Sequence, residues 1–220
     1  TPRPGAGASG SGQGPGFGHD LQTFGTTPNG VLNAPNVIWR HPQSSGDRAM
    51  TRDHLSINRD IWNADAPNWV DLGKRLWSLE TPEWGSWGNS ENDLHLLPPD
   101  MTDMDAIELG CGTGYVSGWM VRRGARVTAI DLSAEQLATA RQLAGENGAD
   151  ITFVEGNAER TGLPDAAFDF AVSEYGASIW CPADKWLPEA WRLLRPGGQL
   201  VFLGNHPLSL ICSPLDGSPA

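Results

Sequence analysis

From about residue 100 onward, short apolar runs alternate with stretches whose apolar residues recur at helical spacing. Ala106-Ile-Glu-Leu109 predicts a strand ending at Gly110, Tyr115 to Arg123 a helix, and Arg126-Val-Thr-Ala-Ile-Asp131 the next strand. Ser133-Ala-Glu-Gln136 predicts a capping box opening a helix that runs to about Glu146, with Gly148 after it. Ile151 to Glu155 predicts a third strand, Phe168 to Ser173 a fourth, and Lys185 to Leu194 a helix. A fifth strand, Gln199 to Leu203, follows the Pro196-Gly197-Gly198 turn. Strands that alternate strictly with helices predict an α/β fold, a doubly wound and mostly parallel sheet with helices on both faces.

Upstream the pattern changes twice. Residues 1–50 form a Gly/Pro-rich segment, with seven Gly between Gly5 and Gly18, that has almost nothing to bury against its ordering entropy and is expected to be disordered. Residues 51–99 are expected to form a helical, Trp-rich N-terminal cap. Trp62, Trp69 and Trp77 stand seven and eight residues apart, close to two helical turns each, which suits packing on the main body. Trp84-Gly-Ser-Trp87-Gly instead predicts a loop whose two indoles need a partner, as the lid of a ligand or the wall of a substrate pocket. Residues 100–220 form the core domain.

Composition narrows the function. With 15 basic and 26 acidic residues the net charge is −11, so nucleic acid and anionic membrane surfaces are not expected partners. Three widely spaced cysteines, Cys111, Cys181 and Cys212, give neither a disulfide framework nor a zinc knuckle, and no metal site is expected. The absence of a spanning helix or signal peptide in the sequence, together with those cysteines, leads to an expected cytoplasmic location. The chain begins with Thr, and only 17 residues follow Leu203. A partial chain with an uncovered sheet edge is therefore expected, and the oligomeric state is left open.

The chemistry concentrates in Glu108-Leu-Gly-Cys-Gly-Thr-Gly114, where a strand gives way to a helix. Its glycines permit a tight turn and close ligand approach. The dinucleotide spacing G-x-G-x-x-G/A fails from either starting glycine, since Tyr115 and Ser117 occupy its third position, which disfavours a nicotinamide-dependent oxidoreductase. A phosphate-binding Walker loop fails as well, because Tyr115 and Val116 follow Gly114. Asp131 closes the second strand 21 residues after Gly110, a position that faces a ribose, and its carboxylate can accept from two vicinal hydroxyls. Glu108 adds negative charge that suits a cationic ligand group and repels a pyrophosphate.

Residues from about 104 to 203 resemble class I S-adenosylmethionine-dependent methyltransferases of the small-molecule type that includes quinone-biosynthesis enzymes. The likeness lies in Glu108 to Gly114, Val127-Thr-Ala-Ile-Asp131-Leu-Ser133, Gly156-Asn-Ala-Glu159, Leu163-Pro-Asp165 with Phe168-Asp169, and Trp191-Arg-Leu-Leu-Arg-Pro-Gly-Gly198, in the family's order. Ser173-Glu-Tyr-Gly-Ala-Ser-Ile-Trp-Cys181 is similar to one bacterial subgroup. The resemblance implies a Rossmann-like sheet, here apparently without the family's last strands, and S-adenosyl-L-methionine as cofactor. It implies that the backbone around Gly110, Cys111, Gly112 and Gly114, with Leu109, lines the methionine and ribose, and that Glu108 lies near the amino end. Asp131 would hold the ribose hydroxyls and Leu132 an adenine face. Asn157 and Ala158 would address the adenine edge, Asn157 through its amide oxygen, and Ser173 would lie beside the methionine.

The implied reaction is in-line methyl transfer to a small-molecule acceptor, with Trp84, Trp87 and Trp180 beside the acceptor pocket. The alternative is a domain that binds the cofactor or its demethylated product without transfer. Alignment of the partners is the main demand on the protein, and a general base is needed only for a hydroxyl-type acceptor. The catalytic residue is unassigned, with Glu174, Tyr175 and His206 as candidates and His54 as a more distant one. Cys111 is expected to pack into the sheet rather than to act as a thiol.

Overall fold

The computed structural model describes residues 53–206, so the expected disordered segment over residues 1–50 and the residues after His206 lie outside the described part. The helical spacing of the tryptophans is realised in α1 (His54–Ser78), whose N-cap Asp53 accepts from the Ser56 amide. The rest of residues 51–99 departs from an all-helical cap: a short antiparallel hairpin, β1 (Glu83–Trp84) with β2 (Asn89–Ser90), leads into a single turn, α2 (Glu91–Leu94). Gly85 and Gly88 both have positive φ, which makes the reversal and stops the helix pattern from continuing.

The core domain follows as β3 (Asp105–Leu109), α3 (Tyr115–Arg122), β4 (Arg126–Asp131), α4 (Ala134–Glu146), β5 (Ile151–Glu155), β6 (Phe168–Glu174), α5 (Ala177–Trp180), α6 (Ala183–Leu193) and β7 (Leu194–Leu203). The strands form one parallel sheet in the order β5-β4-β3-β6-β7, with the reversal of winding between β3 and β6. Such a switch point opens a crevice at the carboxyl ends of the strands. The five strands stand where the apolar runs place them. β7 starts earlier than expected because Leu194 already pairs with Phe168; a register shift then carries the Pro196-Gly197-Gly198 irregularity before Gln199 pairs with Phe170.

Period-two alternation sends successive strand residues to opposite faces. Ala106, Phe170 and Val172 join Leu76, Trp84, Met101, Val116 and Trp119 on one face, while Ile107, Leu109, Ile130 and Ala171 meet Trp186, Ala190 and Leu193 on the other. Leu76, Trp84 and Leu97, from the segment before the sheet, thus share its core. The sequence reading placed Trp84 and Trp87 alike on a binding loop, and the structure separates them. Trp84 has no exposed surface, packs edge-on against Trp119 at 5.4 Å and donates from Nε1 to Glu91 Oε2 at 2.7 Å. Trp87, at the hairpin tip, is 82% exposed.

This difference predicts opposite responses to truncation. Trp84→Ala should lower the unfolding free energy by about 3–5 kcal/mol, as expected for an emptied aromatic site. Trp87→Ala should stay within about 0.5 kcal/mol of the parent. Urea titration followed by intrinsic fluorescence checks both, and equal effects would place the two indoles in like surroundings.

Candidate functional site

The crevice at the carboxyl edge begins with the glycine loop after β3. The Gly110 and Cys111 amides donate to Ile130 O, which lays the loop across the end of β4. Gly110 (φ 79°) and Gly112 (φ 51°) both need the left-handed region, but for different neighbours. A Cβ at Gly110 would stand 2.7 Å from the Ala177 amide nitrogen, and one at Gly176 would stand 2.2 Å from Gly110 O. The loops after β3 and β6 therefore touch backbone to backbone, and Gly110 serves that contact. A Cβ at Gly112 would meet only Gln136 Oε1, at 4.0 Å, so the loop is open there to an approaching ligand.

Asp131 at the end of β4 is half-buried. Its Oδ2 accepts from the Gly112 amide at 2.8 Å and its Oδ1 from the Ser133 amide at 2.9 Å. Burial raises its pKa above the ordinary value, against those two amides. The capping box expected at Ser133 is half formed: Ser133 Oγ accepts from the Gln136 amide, but the Ser133 amide has gone to Asp131. Leu132 is half-buried beside it. On the far side, Asn157 Oδ1 accepts from the Glu159 amide at 2.9 Å in a tight turn, with Ala158 buried behind it. An oxygen expected to serve a ligand amino group is thus already half used, with one lone pair left.

Glu108 is almost wholly buried at the end of β3, and its Oε2 accepts from both the Ser117 amide (2.8 Å) and Ser117 Oγ (2.5 Å). Burial, reinforced by the nearby Glu174 and Asp131 carboxylates, pushes its pKa up to about 8. Two other expected ligand residues also make contacts within the fold. The Leu109 side chain lies in the core, and Ser173 Oγ donates to Leu109 O at 2.7 Å while accepting from the Ser178 amide. Gly114 packs tightly over Ala140 and Phe153. Cys111 packs against Ala129 and Leu137, and burial raises its thiol pKa well above normal.

The catalytic candidates also find defined places. Glu174 Oε1 accepts from the Gly85 amide at 3.0 Å and Oε2 from the Tyr115 hydroxyl; burial raises its pKa. Tyr175 adopts φ 51°, with its hydroxyl against Gly85. Both residues anchor the hairpin, and Glu174 has each oxygen engaged rather than turned to a substrate. His206 is exposed after β7, and His54 Nε2 lies 2.5 Å from Glu159 Oε1.

That contact belongs to a feature the sequence reading missed. α1 lies along the crevice, tied to four of its loops: His54 to Glu159, Asn58 Nδ2 to Trp180 O, Asn63 Oδ1 to Ser133 Oγ, and Trp77 Nε1 to Thr113 O. Trp62 adds an edge-on contact with Trp180 at 5.0 Å. The available signal was His54, Asn58 and Trp62 at spacings of four, one helix face carrying polar groups among aromatic ones. Trp180 thus stands on the α1 side of the crevice, apart from Trp84.

Among the described residues no helix is long and apolar enough to cross a membrane, and no cluster of three or more His, Cys, Asp or Glu side chains could hold a metal ion. A family model described as a methyltransferase domain matches residues 107–202. The chain is 37% identical over 107 residues to a malonyl-[acyl-carrier protein] O-methyltransferase of Pectobacterium atrosepticum, covering 48% of this chain and 40% of that one. It is 35% identical over 103 residues to a demethylmenaquinone methyltransferase of Thermus thermophilus, covering 46% and 47%. The matches thus span less than half the length of these relatives. The fold is similar to that of the [4+2]-cyclase SpnF (TM-score 0.56, 23% identity, covering 69% of this chain and 60% of that one). It is also similar to a SAM-dependent methyltransferase from Aquifex aeolicus (TM-score 0.51, 19% identity, covering 63% and 71%). The glycine loop, Glu108 and Asp131, arranged around one crevice, thus lie within the residues that match the methyltransferase-domain model.

Proposed function

We propose that the chain binds S-adenosyl-L-methionine in the crevice and transfers its methyl group to a small-molecule acceptor. The observation that carries this reading is the pairing of Asp131 with the open Gly112 loop. A carboxylate, fixed by two backbone amides, stands beside a loop where an added Cβ meets nothing closer than 4.0 Å. The donor set fits the cofactor: an acid for a diol and a buried acid for a cationic amino group. None of the Lys or Arg side chains that a pyrophosphate demands forms an ion pair with Glu108 or Asp131 among the described residues. When bound, S-adenosyl-L-methionine supplies a methyl group already activated by the sulfonium charge.

The chain's own residues orient and enclose. Asp131 sets the ribose, Glu108 the amino end, and α1 excludes water by its ties to the loops. Good alignment of two reactants is worth on the order of 7–11 kcal/mol of barrier, and with Glu174 engaged by Gly85 and Tyr115, alignment is the main contribution of this site. The acceptor class follows the relatives, which are named for quinone-type and malonyl-carrier substrates, and the hairpin beside Glu174 and Tyr175 forms the acceptor-side wall. A reducing, cytoplasmic setting suits the free thiols Cys111 and Cys181, the latter with its pKa pushed up to about 12 by burial.

Calorimetric titration with S-adenosylmethionine and S-adenosylhomocysteine tests the reading, with NADH as the contrasting ligand class. Asp131→Ala should weaken binding by about 1–3 kcal/mol, roughly 5- to 150-fold. Preference for NADH, or Asp131→Ala binding as tightly as the parent, would refute it. Transfer itself is read as incorporation of labelled methyl into a metabolite pool, and its absence despite cofactor binding would leave a non-transferring binder.

Glu108 adds a pH signature. With a folded pKa of about 8 against an ordinary 4.5, the folded free chain holds a proton that the unfolded chain has lost between those values. Its stability should therefore fall as pH rises through that window. A ligand ammonium beside Glu108 favours the carboxylate, so binding at pH 7 should release a proton and tighten as pH rises toward 8. Titrations in buffers of different ionisation heat measure that release. Glu108→Gln should abolish it, and an unchanged release in that variant would move the proton to another group.

A further inference from the structure

Gln136 lies in the first turn of α4 and is 2% exposed. Its side-chain oxygen, Oε1, is the one buried side-chain nitrogen or oxygen among the described residues without a hydrogen-bond partner. A buried acceptor left unpaired costs about 1–3 kcal/mol, and native proteins rarely keep one without a use. The reason it is unpaired can be traced. In a closed capping box the glutamine at this position would accept the Ser133 amide. That amide donates to Asp131 Oδ1 instead, and the amide of neighbouring Gly112 donates to Asp131 Oδ2. Asp131 has drawn both backbone donors, and Gln136 Oε1 is left facing Gly112, 4.0 Å from where a Cβ there would sit. The oxygen therefore lies beneath the glycine loop at Gly112, whose amide is held by Asp131.

We propose that Gln136 is a further binding residue of the cofactor site, its Oε1 accepting a hydrogen bond from a hydroxyl of the ribose whose neighbouring hydroxyl Asp131 holds. The proposal rests on the reading of the crevice as an S-adenosylmethionine site. An unpaired carbonyl oxygen requires a donor, which excludes ether, carboxylate and phosphate oxygens as its partner. The amino end of the ligand belongs to Glu108 on β3, whereas Gln136 shares its side of the crevice with Asp131, where a vicinal diol offers two donors. Two acceptors for two hydroxyls would make the site discriminate against deoxynucleosides. A ligand lacking one hydroxyl restores the unpaired oxygen, and sites built to bond a hydroxyl reject such analogues strongly.

The test uses S-adenosylhomocysteine and its 2′-deoxy and 3′-deoxy analogues, titrated calorimetrically into the full chain, Gln136→Met and Asp131→Ala. Thermal unfolding of each ligand-free protein is measured alongside. Gln136→Met, close in size but without the acceptor, should weaken S-adenosylhomocysteine binding about 5- to 30-fold. It should bind one of the two deoxy analogues as well as the parent does. Because the oxygen has no partner in the free chain, the variant's ligand-free Tm should stay level or rise, an effect opposite in sign to that on binding. Unchanged affinity in Gln136→Met, with Asp131→Ala still weakened, would overturn the proposal and leave the site assignment standing. A loss that persists equally with all three ligands, or a fall in ligand-free Tm, would show that Gln136 is paired within the fold, and would overturn it too. Failure of the parent chain to bind S-adenosylhomocysteine would remove the site reading and this inference together.

Discussion

Acidic groups buried at the carboxyl edge of the sheet without a cationic side chain are the constraint around which this structure is arranged. Glu108 is the last residue but one of β3, Asp131 and Glu174 end β4 and β6, and burial raises the pKa of each. Among the described residues none of the three is in an ion pair. They are held by neutral donors: the Ser117 amide and hydroxyl, the Gly112 and Ser133 amides, and the Gly85 amide with the Tyr115 hydroxyl. Arginines gather instead at the opposite edge, where Arg195 bridges Asp105 and Asp169 while Arg126 pairs with Asp105. A crevice lined by under-compensated carboxylates favours a ligand with a cationic part and opposes a polyphosphate.

The donors that steady these acids also set the loops. Because Gly112 donates to Asp131, the glycine loop is pinned to β4 rather than to β3 alone, and because Ser133 does the same, α4 starts at a fixed point beside it. Asp131 therefore organises the backbone around the crevice, in addition to the ligand contact proposed for it. Its removal would loosen the surface on which the ligand rests as well as delete a contact, so a measured loss of affinity would contain both effects.

Much of this was legible in the sequence. β4 and β5 fall where their apolar runs begin and end, and β3 and β6 within one residue, because strand patterning is local and the residues flanking it are turn formers. The roles of Glu108, Asp131 and Gly112 as crevice residues follow from their strand-end positions. What was not legible depends on distant partners. Gly110 reads as a ligand-approach glycine until Gly176, 66 residues later, is seen against it. Trp84 and Trp87 are equivalent in their local motif and differ only because the hairpin turns one toward Trp119. Glu174 has the sequence context of a base, and only the fold shows Gly85 and Tyr115 occupying its oxygens. The four residues of α5 carry too few positions for a period to show.

The division between shared and particular features also runs along the chain. Glu108, Gly112, Asp131 and Gln136 lie within the matched residues 107–202, whereas the groups that close over them, Asn58, Asn63, Trp77 and Gly85, all come from before it. The same architecture carries a protein named as a cyclase and another named as a methyltransferase, so the sheet and its crevice do not by themselves decide the reaction. The upstream segment decides more. α1 bonds to Glu159, Trp180, Ser133 and Thr113, and the hairpin bonds to Glu174 and abuts Tyr175, so residues 53–99 are joined to the crevice at several points. In the proposed function the strand-end residues hold the cofactor, which leaves acceptor choice to α1 and the hairpin.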